Sequence, residues 1–334
     1  MDFATIPLRD PPGATADIAA LPARGRIVAI DAARGLALLG MGVYHLSWDL
    51  AYFGFVSPDL PYSPGMRVFS HIVASAFLGL VGVSLAIAHR DGPRWRAFFI
   101  RLAIVAAAAA LVSAATFFAA PDQPILFGIL HCIAAASLLA APFLLAPAWA
   151  ALAAGAVALA APHFLSAAAF NAPALVWVGL GTEEPNTLDW RPLLPWAGVT
   201  LIGLGLARLA PPRLLKSGFA RERPRAPTRA LALAGRRSLA IYLVHQPILF
   251  ALLFAFAHLT GAAARHDRER YIAICRPACV EGGGDLEACV TACECVAARA
   301  ETAGLLASLT SRSVSATDRA VVSGIVGACG SDLR

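Results

Sequence analysis

Three residues of the first apolar stretch carry the types and spacing that chemistry needs: Asp31, Arg34 and His45. Asp31 and Arg34 are three positions apart, so on a helix they share a face and can pair. His45 lies three turns beyond Arg34 on nearly the same face. One helical stripe therefore carries an acid, a guanidinium and an imidazole. For Asp31 and Arg34 two readings stand side by side. One is a structural ion pair near a membrane interface; the other is an arginine that holds an anionic ligand while the aspartate orients it. The planar guanidinium fork suits phosphate through two parallel hydrogen bonds. Imidazole is the side chain best matched to taking and returning a proton near neutral pH. These three are the catalytic candidates.

His71, His131 and His245 also fall in or beside apolar stretches. Each alone reads as a satisfied core histidine, but several together in an apolar chain suggest a shared polar site, because each costs stability unless paired or hydrated. They sit on separate segments with no i, i+4 pair, so a metal site is not expected. Asp189 and Trp190, in the stretch DWRPLLPW, lie where an apolar segment begins and can wall a site for a polar acceptor. His71, His131, Asp189, Trp190 and His245 are the substrate-binding candidates.

The elements that must position these residues follow from composition. Of 334 residues, 58% are hydrophobic and 14% charged, and the mean hydropathy is +0.68. A soluble domain carries roughly a quarter charged residues, so most of this surface is built to face something other than water. About 20 apolar residues cross the hydrocarbon core. The pattern predicts about seven spans, near 27–46, 68–88, 97–119, 125–145, 149–165, 193–210 and 238–260. The expected fold is an all-α, polytopic membrane helix bundle with a short Cys-rich helical C-terminal tail. Its expected parts are a disordered lead-in over 1–24 with no cleavable signal peptide, a bundle over 25–260, and a tail over 261–334.

The net charge of +6 does not point to nucleic acid, because the basic residues sit in short connections between apolar stretches. Arg24 and Arg26, then Arg90, Arg94 and Arg96, then the run from Arg213 to Arg237, all fall on one side of a seven-span chain. By the positive-inside rule the N-terminus is expected in the cytoplasm and the tail outside. In a bacterium that is a multi-pass protein of the inner membrane with a periplasmic tail.

The tail holds Cys275, Cys279, Cys289, Cys293, Cys295 and Cys329. Two C-x3-C pairs flank EGGGD, and residues four apart share a helical face. The glycines allow a hairpin that pairs Cys275 with Cys293 and Cys279 with Cys289, and Cys295 with Cys329 can close a third bridge. A four-thiolate zinc site is the rival, although zinc pairs are usually spaced more tightly. An even cysteine count outside the cytoplasm favours disulfides.

The blocks RIVAIDAARGLALLGMGVYHLSWD, FSHIVASAFLGLVGVSLAIA, FGILHCIAAASLL, DWRPLLPWAGV and GRRSLAIYLVHQPILF occur in this order over about 24–260. They resemble the heparan-alpha-glucosaminide N-acetyltransferase family and its small bacterial members. In the wider superfamily of membrane acyltransferases an arginine precedes a histidine by about this interval on the first helix, the positions of Arg34 and His45. The resemblance implies an acyltransferase with an acyl-CoA donor, acetyl-CoA by the family's chemistry, entering from the cytoplasm. It implies an acceptor amine or hydroxyl on the far side, such as an envelope glycan. It further implies Arg34 near the donor and His45 near the acceptor, as base or as a covalent acyl carrier. Residues 46–70 hold no histidine, whereas the lysosomal enzyme has its proposed catalytic histidine in that loop and an asparagine in the place of His45. A proton-coupled transporter and a non-enzymatic scaffold are the alternatives, and a homo-oligomer is compatible with all three.

Overall fold

A computed structural model describes residues 27–211, 225–309 and 315–331. The lead-in over 1–24, Arg24, Arg26 and the basic residues from Arg213 to Arg223 lie outside the described residues. Among those described there are eleven α-helices and no strand. They are α1 (Val28–Tyr52), α2 (Pro64–Ala88), α3 (Trp95–Ala119), α4 (Ile129–Ala140), α5 (Ala148–Leu165), α6 (Leu193–Leu209), α7 (Ala226–Arg236), α8 (Ser238–Leu259), α9 (Ala262–Glu281), α10 (Leu286–Thr302) and α11 (Ala316–Ser331).

α2, α3, α5 and α8 are long and apolar enough to cross a membrane. α4 and α6 are shorter apolar helices, and α1 is 25 residues long but carries Asp31, Arg34, His45 and Asp49. Outward-facing side chains are large and apolar, with Leu252 64% and Leu259 87% exposed. Such a belt suits lipid and would aggregate in water. The fourth apolar stretch is shorter than the 125–145 expected. Pro142 has no backbone N–H to continue the ladder, and a 3-10 turn, Pro142–Leu144, follows α4. The first helix runs further than expected, through Trp48 to Tyr52. Arg225, Arg229 and Arg236, expected in a loop, begin or belong to α7.

Glycines set the closest helix approaches. A Cβ on Gly35 would stand 2.0 Å from the Leu231 carbonyl oxygen, and one on Gly235 would stand 1.8 Å from that of Asp31. α1 and α7 therefore cross backbone against backbone, the small-residue packing common between membrane helices. α8 continues alongside α1 in the same direction: His245 meets His45, Gln246 meets Asp49, and Phe250 meets Phe53. α2 and α6 meet in the same way at Gly82 and Gly203. They also run the same way, since Ser70 binds Arg191 and His71 stacks on Trp196 near their starts. Core clusters fill the space between, one around Leu85, Phe98, Leu201 and Leu204 and another around Ala74, Leu78, Cys132 and Trp196.

Gly261, with φ of 66°, turns the chain from α8 into α9. Disulfides join Cys275 to Cys293, Cys279 to Cys289 and Cys295 to Cys329, with Cα separations of 6.0, 5.8 and 5.8 Å. These are the pairs the spacing suggested. The first two staple α9 to α10 and the third ties α11 to α10. The Asp285 carboxylate caps α10 by accepting from Glu287 N (3.0 Å) and Ala288 N (3.3 Å). His266 packs on Gly54, seating the tail against the end of α1.

Two predictions follow from this framework. Gly235→Val forces a branched side chain into the α1–α7 crossing and should cost about 1–3 kcal/mol or more. The readout is a lower thermal midpoint in detergent. Gly65→Ala, where a Cβ meets nothing within 4 Å, should leave that midpoint unchanged. In the tail, Glu294 accepts from Arg268 (2.9 Å) and Arg276 (3.0 Å). The Arg268 hydrogen bond above all holds its carboxyl below the usual range. A carboxyl lowered by folding stabilises the fold above its unfolded titration, and that contribution is lost as pH falls through the folded value. Amide exchange in α9 and α10, corrected for intrinsic rates, should speed up between about pH 6 and pH 3. Glu294→Gln should flatten this step, which is small because the pair is exposed to solvent.

Candidate active site

The polar residues of the bundle fall into two groups. The first lies where α1 begins. Asp31, 6% exposed, is 3.6 Å from Arg34 and 3.2 Å from Arg236 at the end of α7. Arg34 donates to the Ser84 hydroxyl on α2, and Ser84 in turn donates to the Leu80 carbonyl. An acid, two guanidinium groups and a hydroxyl thus join α1, α2 and α7. The buried Asp31 carboxylate has two cationic partners, one of which, Arg236, reaches solvent. In this knot Asp31 and Arg34 pair with each other, and it lies roughly 16 Å along α1 from His45.

The second group lies further along α1, toward the tail. The rings of His45 and His245 meet edge to face with centroids 5.0 Å apart. His245 Nδ1 is 2.7 Å from the Tyr242 carbonyl oxygen. A carbonyl only accepts, so Nδ1 carries the proton and Nε2 presents its lone pair. Asp49, one turn beyond His45 and 4% exposed, accepts from the Gln246 side-chain amide at 2.8 Å. Sequence reasoning passed over Asp49 and Gln246. The signal was present, since Asp49 shares the His45 face at i, i+4 and Gln246 adjoins His245.

A third set of contacts joins the loop before α6 to α2, α4 and α6. Asp189 accepts from Ile129 N at 2.7 Å and so caps α4. Burial raises its carboxyl above the usual range, and the neighbouring Arg191 opposes that shift. Arg191 donates to Ser70 at 3.1 Å and to the Trp190 carbonyl at 2.8 Å, and its guanidinium lies 5.4 Å from the Trp196 ring centroid. His71 stacks on Trp196, with centroids 5.4 Å apart and planes 13° from parallel, and its Nδ1 donates to the Arg67 carbonyl at 2.7 Å. Of the two tryptophans in DWRPLLPW, Trp196 supplies the ring that His71 stacks on, and Trp190 accepts from Arg191 through its carbonyl.

His131 serves locally. Its Nδ1 lies 3.3 Å from Gly128 N and its Nε2 3.3 Å from the Ser113 hydroxyl, so it ties the loop before α4 to α3. Of the candidates, His45 and His245 are in direct contact. His71, Asp189 and Trp190 gather around Arg191, His131 braces the adjoining loop, and Asp31 with Arg34 form the knot at the other end.

The fold is that of an integral membrane helix bundle, with two histidines in ring contact inside it. Residues 26–247 match the family described as heparan-alpha-glucosaminide N-acetyltransferase, catalytic. That stretch covers more than half of the chain, and the chain belongs to this family, which makes it a membrane acyltransferase. Neither the curated proteins nor the solved structures yield a match.

Gly128 tests how rigidly Asp189 is held. A Cβ there would stand 2.4 Å from Asp189 Oδ2. Gly128→Ala and Asp189→Ala should each lower stability, by about 0.5–2 kcal/mol for the lost cap. The double variant should lose less than the sum, because both break one contact. Thermal midpoints of the three variants in detergent measure this.

Proposed function

We propose that the protein transfers an acyl group, acetyl by the family's chemistry, from acyl-CoA to an amine or hydroxyl acceptor across the membrane, with His45 as the base. The observation that carries this reading is the His45–His245 ring pair at 5.0 Å inside an acyltransferase-family bundle. A lone interfacial histidine needs no partner, whereas two imidazoles in contact, with one lone pair free, can pass a proton. In the proposed step the acceptor N–H or O–H gives its proton to His45 as its heteroatom attacks the thioester carbonyl. The C–S bond breaks, and the CoA sulfur leaves and takes the proton. The oxyanion that forms on the way calls for a cationic donor, a role for which Arg191 is the candidate.

The donor end, on this reading, is the end where α1 begins. One turn beyond Ser84, a cavity of about 260 Å³ is lined by His89, Arg90 and Arg208 among others, and such a basic surface suits the phosphates of CoA. Charge placement supports a cytoplasmic N-terminus. With seven crossings the disulfide-bonded tail is then periplasmic, over the acceptor end, in the inner membrane of a bacterium. Disulfides agree with an oxidising compartment. The acceptor is an envelope glycan or another periplasmic amine or hydroxyl. The family's name specifies an amino sugar, which makes glucosamine the natural first probe.

His45→Ala should abolish acyl transfer from radiolabelled acetyl-CoA, a loss of at least about 10²-fold for a positioned base, while the protein still inserts and elutes as wild type. Undiminished transfer by the variant would remove His45 from the mechanism. Mass spectrometry of envelope glycans and lipids, with and without the protein, identifies the acceptor.

A further inference from the structure

Three acceptor atoms beside His45 are buried without a hydrogen-bond partner: Asp49 Oδ2, Gln246 Oε1 and His245 Nε2. They belong to one patch, because Gln246 follows His245 in α8 and its amide nitrogen is already bonded to Asp49 Oδ1. That bond fixes the amide orientation, so the Gln246 oxygen is the free atom. The Tyr242 carbonyl likewise fixes the His245 tautomer. Asp49 is 4% exposed and forms no ion pair among the described residues. Asp31, by contrast, is matched by two guanidinium groups, and the other unmatched buried side-chain atoms of the bundle, His89 Nε2 at the end of α2 and Thr200 Oγ1 on α6, lie on different elements. Buried acceptors left without donors are costly. A cluster of three has a simple chemical complement: a group that brings two or more N–H or O–H donors.

We infer that Asp49 and Gln246 are specificity-determining residues that bind the acceptor, taking hydrogen bonds from its N–H and O–H groups other than the one acylated. This rests on the acyl-transfer reading above and deepens it. The acceptor selected is a molecule with several donors close together, a polyol or aminopolyol, and a mono-functional amine or alcohol is selected against. The penalty for a missing donor is large, because the buried acceptors then stay unpaired. Asp49 lies one turn past His45, so donors held there leave a neighbouring amine or hydroxyl facing the imidazole.

The test uses the full chain in detergent with radiolabelled acetyl-CoA and two probe amines, D-glucosamine and cyclohexylamine. Both offer a primary amine on a six-membered ring, and only the first carries hydroxyls. Wild type should prefer glucosamine at least tenfold in kcat/KM. Asp49→Asn and Gln246→Leu should each collapse that preference toward one, with the change falling on the acceptor KM rather than on the acyl-CoA KM. Asp49→Asn should leave the thermal midpoint unchanged, since it removes only a buried charge, whereas Gln246→Leu also removes the donor to Asp49 Oδ1 and should lower it. Wild type that acetylates both amines equally overturns the assignment while leaving the acyltransferase reading standing. So do variants that melt several degrees lower with the preference intact, which would make the pair a structural brace. Wild type that acetylates neither amine overturns the assignment together with the reading it rests on.

Discussion

The backbone crossing of α1 with α7 at Gly35 and Gly235 governs the placement of nearly every polar residue in the bundle. It fixes how close α1 and α7 stand, and α8 turns back from the end of α7 to run alongside α1. From that arrangement Arg236 reaches Asp31, His245 reaches His45, Gln246 reaches Asp49, and Phe250 reaches Phe53. A side chain at either glycine would spread the helices, and the ion pair, the imidazole contact and the amide bond would lengthen together. Interhelical hydrogen bonds in membrane proteins contribute modestly, on the order of 1 kcal/mol each. Close apposition of backbones thus sets the geometry, and the polar contacts exploit it.

The same principle divides the polar residues by use. Where α1 begins, acid, guanidinium groups and hydroxyl satisfy one another, and the result is a clamp across three helices. Farther along, the contacts are incomplete: a ring pair with a free lone pair, and a carboxylate with one oxygen bonded and one not. Natural chains tolerate such imbalance at functional sites and pair their polar groups elsewhere. Along α1, pairing thus runs from a carboxylate with two cationic partners at Asp31 to one with a free oxygen at Asp49.

Much of this was legible in the sequence. Long apolar stretches with basic connections specified an all-helical membrane bundle, and the periodicity of Asp31, Arg34 and His45 placed them on one stripe. The C-x3-C pairs around three glycines specified the stapled hairpin. What stayed hidden depended on contacts between segments distant in the chain. Arg34 could not be assigned to a clamp without knowing that Ser84 and Arg236 converge on it and on Asp31. Trp190 and Trp196 are equally aromatic in sequence, and only the entry geometry of α6 decides which ring stacks on His71. The shortening of α4 was visible in Pro142, but the hydropathy of the flanking residues masked it.

The cysteine connectivity also has a topological consequence. The Cys295–Cys329 bond closes a covalent ring that contains the whole connection between α10 and α11. A single peptide cut in that connection opens the ring without releasing a fragment, so α11 stays tethered to α10. The two staples between α9 and α10 give the glycine turn the same property. Connections between helices, where proteolytic cuts concentrate, are thereby made tolerant of nicking, and shedding the last helix through the connection before it takes reduction as well as proteolysis.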